Sequence, residues 1–158
     1  MADHARKKIR DLAVAQMAGL PTTGPRVYAG RTRALGANHA PALLIYTLGE
    51  RIGRDAHGRP PPLLRTMTLH LVGRVQSGDV PDDLLDQIAA EVEAKMYAAS
   101  AAFFALDVDV ISIELTEIDV AAKVAEDNGR SGDKHSGAVV LSYQVTYRTA
   151  EGAPAAAL

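Results

Sequence analysis

"RTMTLHLVGRV", residues 65–75, decides the fold. Met67, Leu69, Leu71 and Val75 fall on one side, while Thr66, Thr68, His70 and Arg74 fall on the other. A period of two is the signature of a strand with one buried side. Such a strand predicts a sheet with one face against a core and the other facing water or a partner. The rest of the chain must supply the cover and the neighbouring strands.

Both are present. "PDDLLDQIAAEVEAKMYAASAAFFAL", residues 81–106, carries Leu85, Ile88, Val92, Met96, Ala99 and Phe103 at helical spacing. Pro81 suits a first helical position, and Asp82 and Asp83 complement the dipole of the opening turn. Two further strands follow. "DVISIELTEIDV" (109–120) alternates through Ile111, Ile113 and Leu115 and then shifts phase to Ile118 and Val120, which predicts a bulge near Thr116–Glu117. "AVVLSYQVTYRT" (138–149) puts Val139, Leu141, Tyr143, Val145 and Tyr147 on one side.

Toward the N-terminus, Asp3 can cap a helix over 4–18 with a stripe of Ala5, Ile9, Leu12, Ala13 and Met17, ended by Gly19 and Pro21. Arg6, Lys7, Lys8 and Arg10 crowd its first turns, where cations oppose the dipole, so a surface role is open to them. A short strand at 26–30, a loop bearing Arg31, Arg33 and His39, and the near-continuous apolar run 42–48 come next. That run predicts burial on both faces. Residues 49–64 and 122–137, rich in glycine and charge, read as loops, and 150–158 as a disordered tail. The prediction is an α+β fold over 1–149: an antiparallel-dominated mixed sheet, two main helices on one face, order α-β-β-β-α-β-β.

Composition narrows function mainly by exclusion. With no cysteine, disulfides, thiol chemistry and Cys-ligated metals are out. A net charge of −2 speaks against generic nucleic-acid binding, and no apolar run approaches a membrane span. "GLPTTGPR" (19–26) has the glycine spacing of a phosphate loop, but Pro25 and Arg26 replace the lysine and hydroxyl residue that would hold phosphate and Mg²⁺. "EDNGRSGD" (126–133) lacks the alternating carboxylates of a calcium loop. Asp107 and Asp109 could share a strand face, yet they flank a helix end, where carboxylates are normally solvated. The five histidines never pair at helical spacing, and no serine sits in a nucleophile elbow. No catalysis, metal or cofactor is therefore expected. Charge is instead distributed unevenly. Residues 1–80 hold twelve basic against five acidic side chains, and residues 81–158 hold five against fourteen. Such a chain could carry a basic and an acidic side and pack head to tail.

The order of "VYAGRTRAL", "APALLIYTLGERI", "RTMTLHLVGRV", "DDLLDQIAAEVEAKM", "ISIELTEIDV" and "GAVVLSYQVTYRT" resembles the tail terminator proteins of long-tailed bacteriophages, the minor tail protein U type, over most of residues 5–149. The resemblance implies a non-enzymatic protomer of a homo-hexameric ring in the virion, at the head-proximal end of the tail. Its partners would be the major tail tube protein and a head-completion or connector protein. DNA would only pass through the lumen, and assembly would occur in the host cytoplasm, away from membranes. In such a ring, Arg31, Arg33, Arg51 or Arg54 could reach Glu114, Glu117 or Asp119 of a neighbour, since the guanidinium fork suits carboxylates. The polar strand face with His70 and Arg74 is a second candidate interface. The loop bearing Glu126, Asp127, Asn128, Arg130, Asp133 and Lys134 is a candidate docking segment that orders on assembly. The alternatives are another neck or tail component, of head-completion or tube-like type, and a small non-enzymatic ligand-binding module.

Overall fold

The computed structural model describes residues 3–30, 39–56, 58–77, 81–123 and 135–155. The elements are α1 (Ala5–Met17), β1 (Val27–Ala29), β2 (Ala42–Arg54), β3 (Leu63–Ser77), α2 (Asp82–Phe104), β4 (Asp109–Lys123) and β5 (His135–Thr149). The strands form one five-stranded sheet in the order β1-β2-β3-β5-β4. β1 runs parallel to β2 and the other neighbours are antiparallel, so the sheet is mixed and the predicted element order holds.

The topology follows from how strands can be joined. β3 and β4 each lie antiparallel to β5, hence parallel to one another. Parallel strands need a long crossover, and α2 provides it. A helix packed across a sheet skips a strand position, and β5, returning as a hairpin from β4, fills it.

The helix-side face is aliphatic. Met67, Leu69, Leu71 and Val75 of β3 and Val139, Leu141, Val145 and Tyr147 of β5 are buried against Leu85, Ile88, Val92, Met96, Ala99 and Phe103 of α2. Ile9, Ala13 and Met17 of α1 join the same cluster beside Leu43 and Ile45. Each large side chain so buried contributes about 1.5–3 kcal/mol. Gly73 sits where the helix comes closest: a Cβ there would lie 2.7 Å from Ile88 Cγ2 and 2.9 Å from Val139 Cγ1.

Several boundaries differ from the sequence reading. α1 is capped by His4, whose Nδ1 accepts from the Arg6 N–H at 3.1 Å; Asp3 instead pairs with Lys7 at 2.7 Å. Burial, aided by Arg6, depresses the His4 pKa, which keeps Nδ1 free to accept. Pro81 precedes α2 rather than opening it, and Leu85 N–H reaches its carbonyl at 3.0 Å. Residues 49–54, expected in a loop, continue β2 past a bulge between Thr47 and Glu50, and 50–54 pair with 63–67 of β3. Within the expected tail, Ala5 N–H donates to the Pro154 carbonyl at 2.9 Å and Lys8 Nζ to the Ala155 carbonyl at 2.8 Å, so residues 150–155 fold back on α1. The bulge predicted near Thr116 is present between Leu115 and Glu117, and a second lies between Val110 and Ser112.

The turn after α1 is tied to α2 through one carboxylate. Glu91 accepts from the Thr22 N–H at 3.0 Å and the Thr22 hydroxyl at 2.7 Å. Partial burial pushes its pKa up, but these bonds and Gln87 outweigh burial, and the net shift is downward from 4.5.

Two outcomes test this packing. Gly73→Ala should lose about 1–3 kcal/mol in denaturant unfolding, because two stiff branched side chains must give way. Glu91 has a folded pKa below its unfolded one, so its stabilisation is complete above pH 4.5 and disappears as pH falls through the folded value. Glu91→Gln should therefore be less stable than the parent at pH 7 and lose less stability on acidification from pH 5 to pH 3, read from melting temperatures.

Candidate functional site

The sheet face away from the helices carries six of the seven described candidate residues; it is exposed along β4 but buried at Ala42, Leu44, Val72 and Ser142. Register fixes who shares it. Thr66 lies opposite Arg51 and Thr146, and His70 opposite Tyr46 and Ser142. Arg74 lies opposite Ala42 and Ala138. On β4, Glu114, Glu117 and Asp119 stand opposite Gln144, Ser142 and Val140, so all three carboxylates are on this same face.

The face is therefore polarised across its width. Arg51 projects from β2 and Arg74 from β3, while the carboxylate row occupies β4. Arg51 and Arg74 are exposed, as are Glu114, Glu117 and Asp119. Between β2 and β4 lie three strand spacings, about 14 Å. Among the described residues no ion pair links these arginines to these carboxylates.

Other cations find partners within the chain. Arg54 stands on the helix side, not the open face, and both its terminal nitrogens reach Glu151 at 3.0 Å. Arg148 binds Asp55 at 2.5 Å and Asp109 at 3.5 Å, and those hydrogen bonds raise its pKa. Lys7 bridges Asp3 and Asp11, and Lys8 reaches Asp107 at 3.2 Å. The basic first turns of α1 are thus largely spent on internal contacts. Arg31 and Arg33 lie outside the described residues, as do Glu126, Asp127, Asn128, Arg130, Asp133 and Lys134.

Chemically, the open face offers little machinery. The His70 ring Nδ1 lies 3.4 Å from the Ser142 hydroxyl, but Glu117 lies opposite the serine, on its far side from the histidine. A relay needs the acid beside the imidazole, and here their strands are two spacings, about 9.6 Å, apart with the serine's strand between them. Among the described residues no three His, Asp or Glu side chains come together as a metal set, and no helix is long and apolar enough to cross a membrane.

The sequence reading missed a buried ionic cluster on the helix side. Glu50 accepts from Arg65 at 2.9 Å and from the Tyr147 hydroxyl in a short hydrogen bond, and Arg65 Nε donates to Thr149 at 2.8 Å. The Arg65 and Glu50 side chains are only 9% and 7% exposed, so neither charge is compensated by water. Burial and the neighbouring Glu50 raise the Tyr147 pKa and hold it as a neutral donor. A signal did exist: Arg65 shares the parity of Met67 and Leu69, and an inward arginine demands a buried acid. Its acid was hidden in the stretch read as a loop.

This cluster has a testable energetic signature. Arg65→Met alone should cost about 3–5 kcal/mol, because it strands a buried carboxylate. Glu50→Leu/Arg65→Met removes both charges and should recover most of that loss in the same denaturant titration.

No family model matches the chain, and no curated protein matches it. Among solved structures, a chain of the virion of a native gene transfer agent particle aligns with a TM-score of 0.47 at 10% identity, covering 92% of this chain and 96% of that one. A likeness that weak bears on neither function nor partners.

Proposed function

We propose that the protein is a structural component of a phage or phage-like particle, a tail terminator whose copies form a ring on the end of the tail tube. The observation that carries the reading is the polarised outer face, with Arg51 and Arg74 on β2 and β3 and the carboxylate row on β4, which form no ion pair with one another among the described residues. A closed ring needs a heterologous contact between two unlike patches, and this face has them. The sequence resemblance to tail terminators supports the same reading, and so does the lack of any catalytic constellation in the sequence.

Termination by such a ring is a matter of shape. A growing tube presents the same end after each added layer. A ring that matches this end on one side but offers a different surface on the other stops the repeat. That second surface is then free for the head connector. Nothing in this scheme requires bond chemistry, which fits a chain whose histidines and serines are scattered.

Light scattering should give a species several times the protomer mass of 16.7 kDa, hexameric under the ring reading, with an annular outline in negative-stain micrographs. Added to polymerising tail tube protein, it should shorten the tubes in proportion to its concentration. A strictly monomeric protein without effect on tube length would overturn the proposal.

A further inference from the structure

Among the described residues, both lateral edges of the sheet carry strand with no further strand partner. β4 is an edge strand of 15 residues, and β1 covers β2 only at Leu43–Ile45. Among the described residues no strand continues along Thr47–Arg54. Long open edges template further pairing and are usually blunted by proline, charge, bulges or brevity. β4 is long and has no proline, and what guards its edge is the carboxylate row, two bulges and Lys123 at its end.

The side chains beside the two edges are complementary on both faces. On the helix side, Leu115, Ile118 and Val120 lie opposite Tyr143, Leu141 and Val139, an inward parity, yet they are 37%, 43% and 45% exposed. The β2 edge carries Ile52 on the same side, opposite Arg65 and 55% exposed. On the open side, Glu114, Glu117 and Asp119 line β4, and Arg51 lies by the β2 edge.

We infer that the β4 edge of one copy pairs with the Thr47–Arg54 edge of β2 in the next copy, carrying the sheet from protomer to protomer. Strand direction allows it. Three antiparallel steps separate β2 from β4, so the two run in opposite directions. Two copies set side by side in the same orientation then meet as an antiparallel ladder, with open face continuing open face. A register that places Arg51 by Glu117 brings Ile52 beside Leu115 on the helix side, because the bulge at Thr116 absorbs one residue. The alternative two-fold dimer, β4 against β4, would set the carboxylate row against itself, and like charges across a strand pair repel. Charge therefore selects the head-to-tail contact, which closes to a ring or continues as a helix. The inference rests on the ring reading and specifies its interface.

The test uses the full chain and two variants, Arg51→Glu and Glu117→Lys/Asp119→Lys, with circular dichroism confirming that each is folded. Mass photometry at an ionic strength of 0.15 M, where the Debye length is about 8 Å, reads the assembly state. Each variant alone should fall to the 16.7 kDa protomer, since one edge now repels the other. An equimolar mixture should regain the parent's assembled mass, because each edge of one variant attracts the opposite edge of the other. Recovery on mixing supports edge pairing, and a misfolded variant could not produce it. A parent that assembles while both variants assemble equally well overturns the edge contact and leaves the ring reading standing. Loss of assembly in the variants without recovery on mixing also overturns the edge contact. A parent that stays at the protomer mass at every concentration overturns both.

Discussion

The contact between Ile88 of α2 and the bare backbone of Gly73 on β3 governs how this molecule is built. The helix lies across the centre of the sheet, and a side chain at 73 would hold it away by more than the packing tolerates. Because α2 lies so close, its apolar stripe joins β3 and β5 in one core, which α1 completes. Because it lies there and not further over, the edge strand β4 is only partly covered. Leu115, Ile118 and Val120 keep the inward parity of a core strand but stay partly exposed.

Polar chemistry is divided between the two faces in an instructive way. On the helix side, charges are few and locked: Glu50, Arg65, Tyr147 and Thr149 satisfy each other where water does not reach. Such a cluster adds little net stability but penalises any arrangement that separates its members. It also joins β2, β3 and β5 near the start of α1, the region onto which residues 150–155 fold back. On the open side the charges are many, exposed and sorted by strand. Exposed ion pairs within one chain contribute little. The same charges brought between two chains discriminate among orientations, which is a matter of specificity more than of affinity.

These two arrangements would suit the proposed building block. A helix-backed sheet with free face and edges would let the proposed assembly proceed without first ordering the framework.

Much of this was legible in the sequence because periodicity reports burial directly. The alternation at 65–75, the helical stripe from Leu85 to Phe103 and the phase shift near Thr116 each record a local contact rule, and each reappears in the structure. The sequence also determined that basic and acidic side chains are segregated along the chain. It could not place them, since which carboxylate meets which arginine depends on strand order and register, set by contacts far apart in sequence. Arg54 and Arg51 are three residues apart in one strand, yet one is held by Glu151 and the other faces outward. Glu50–Arg54 looked like a loop because glycine and charge mask a strand whose partner is another strand. Only tertiary structure decided that β5 lies between β3 and β4, which leaves β4 at the rim with its carboxylate row exposed and its apolar row partly so. The physical reason is that a strand's faces are fixed by its own alternation, whereas its neighbours are chosen by the whole fold.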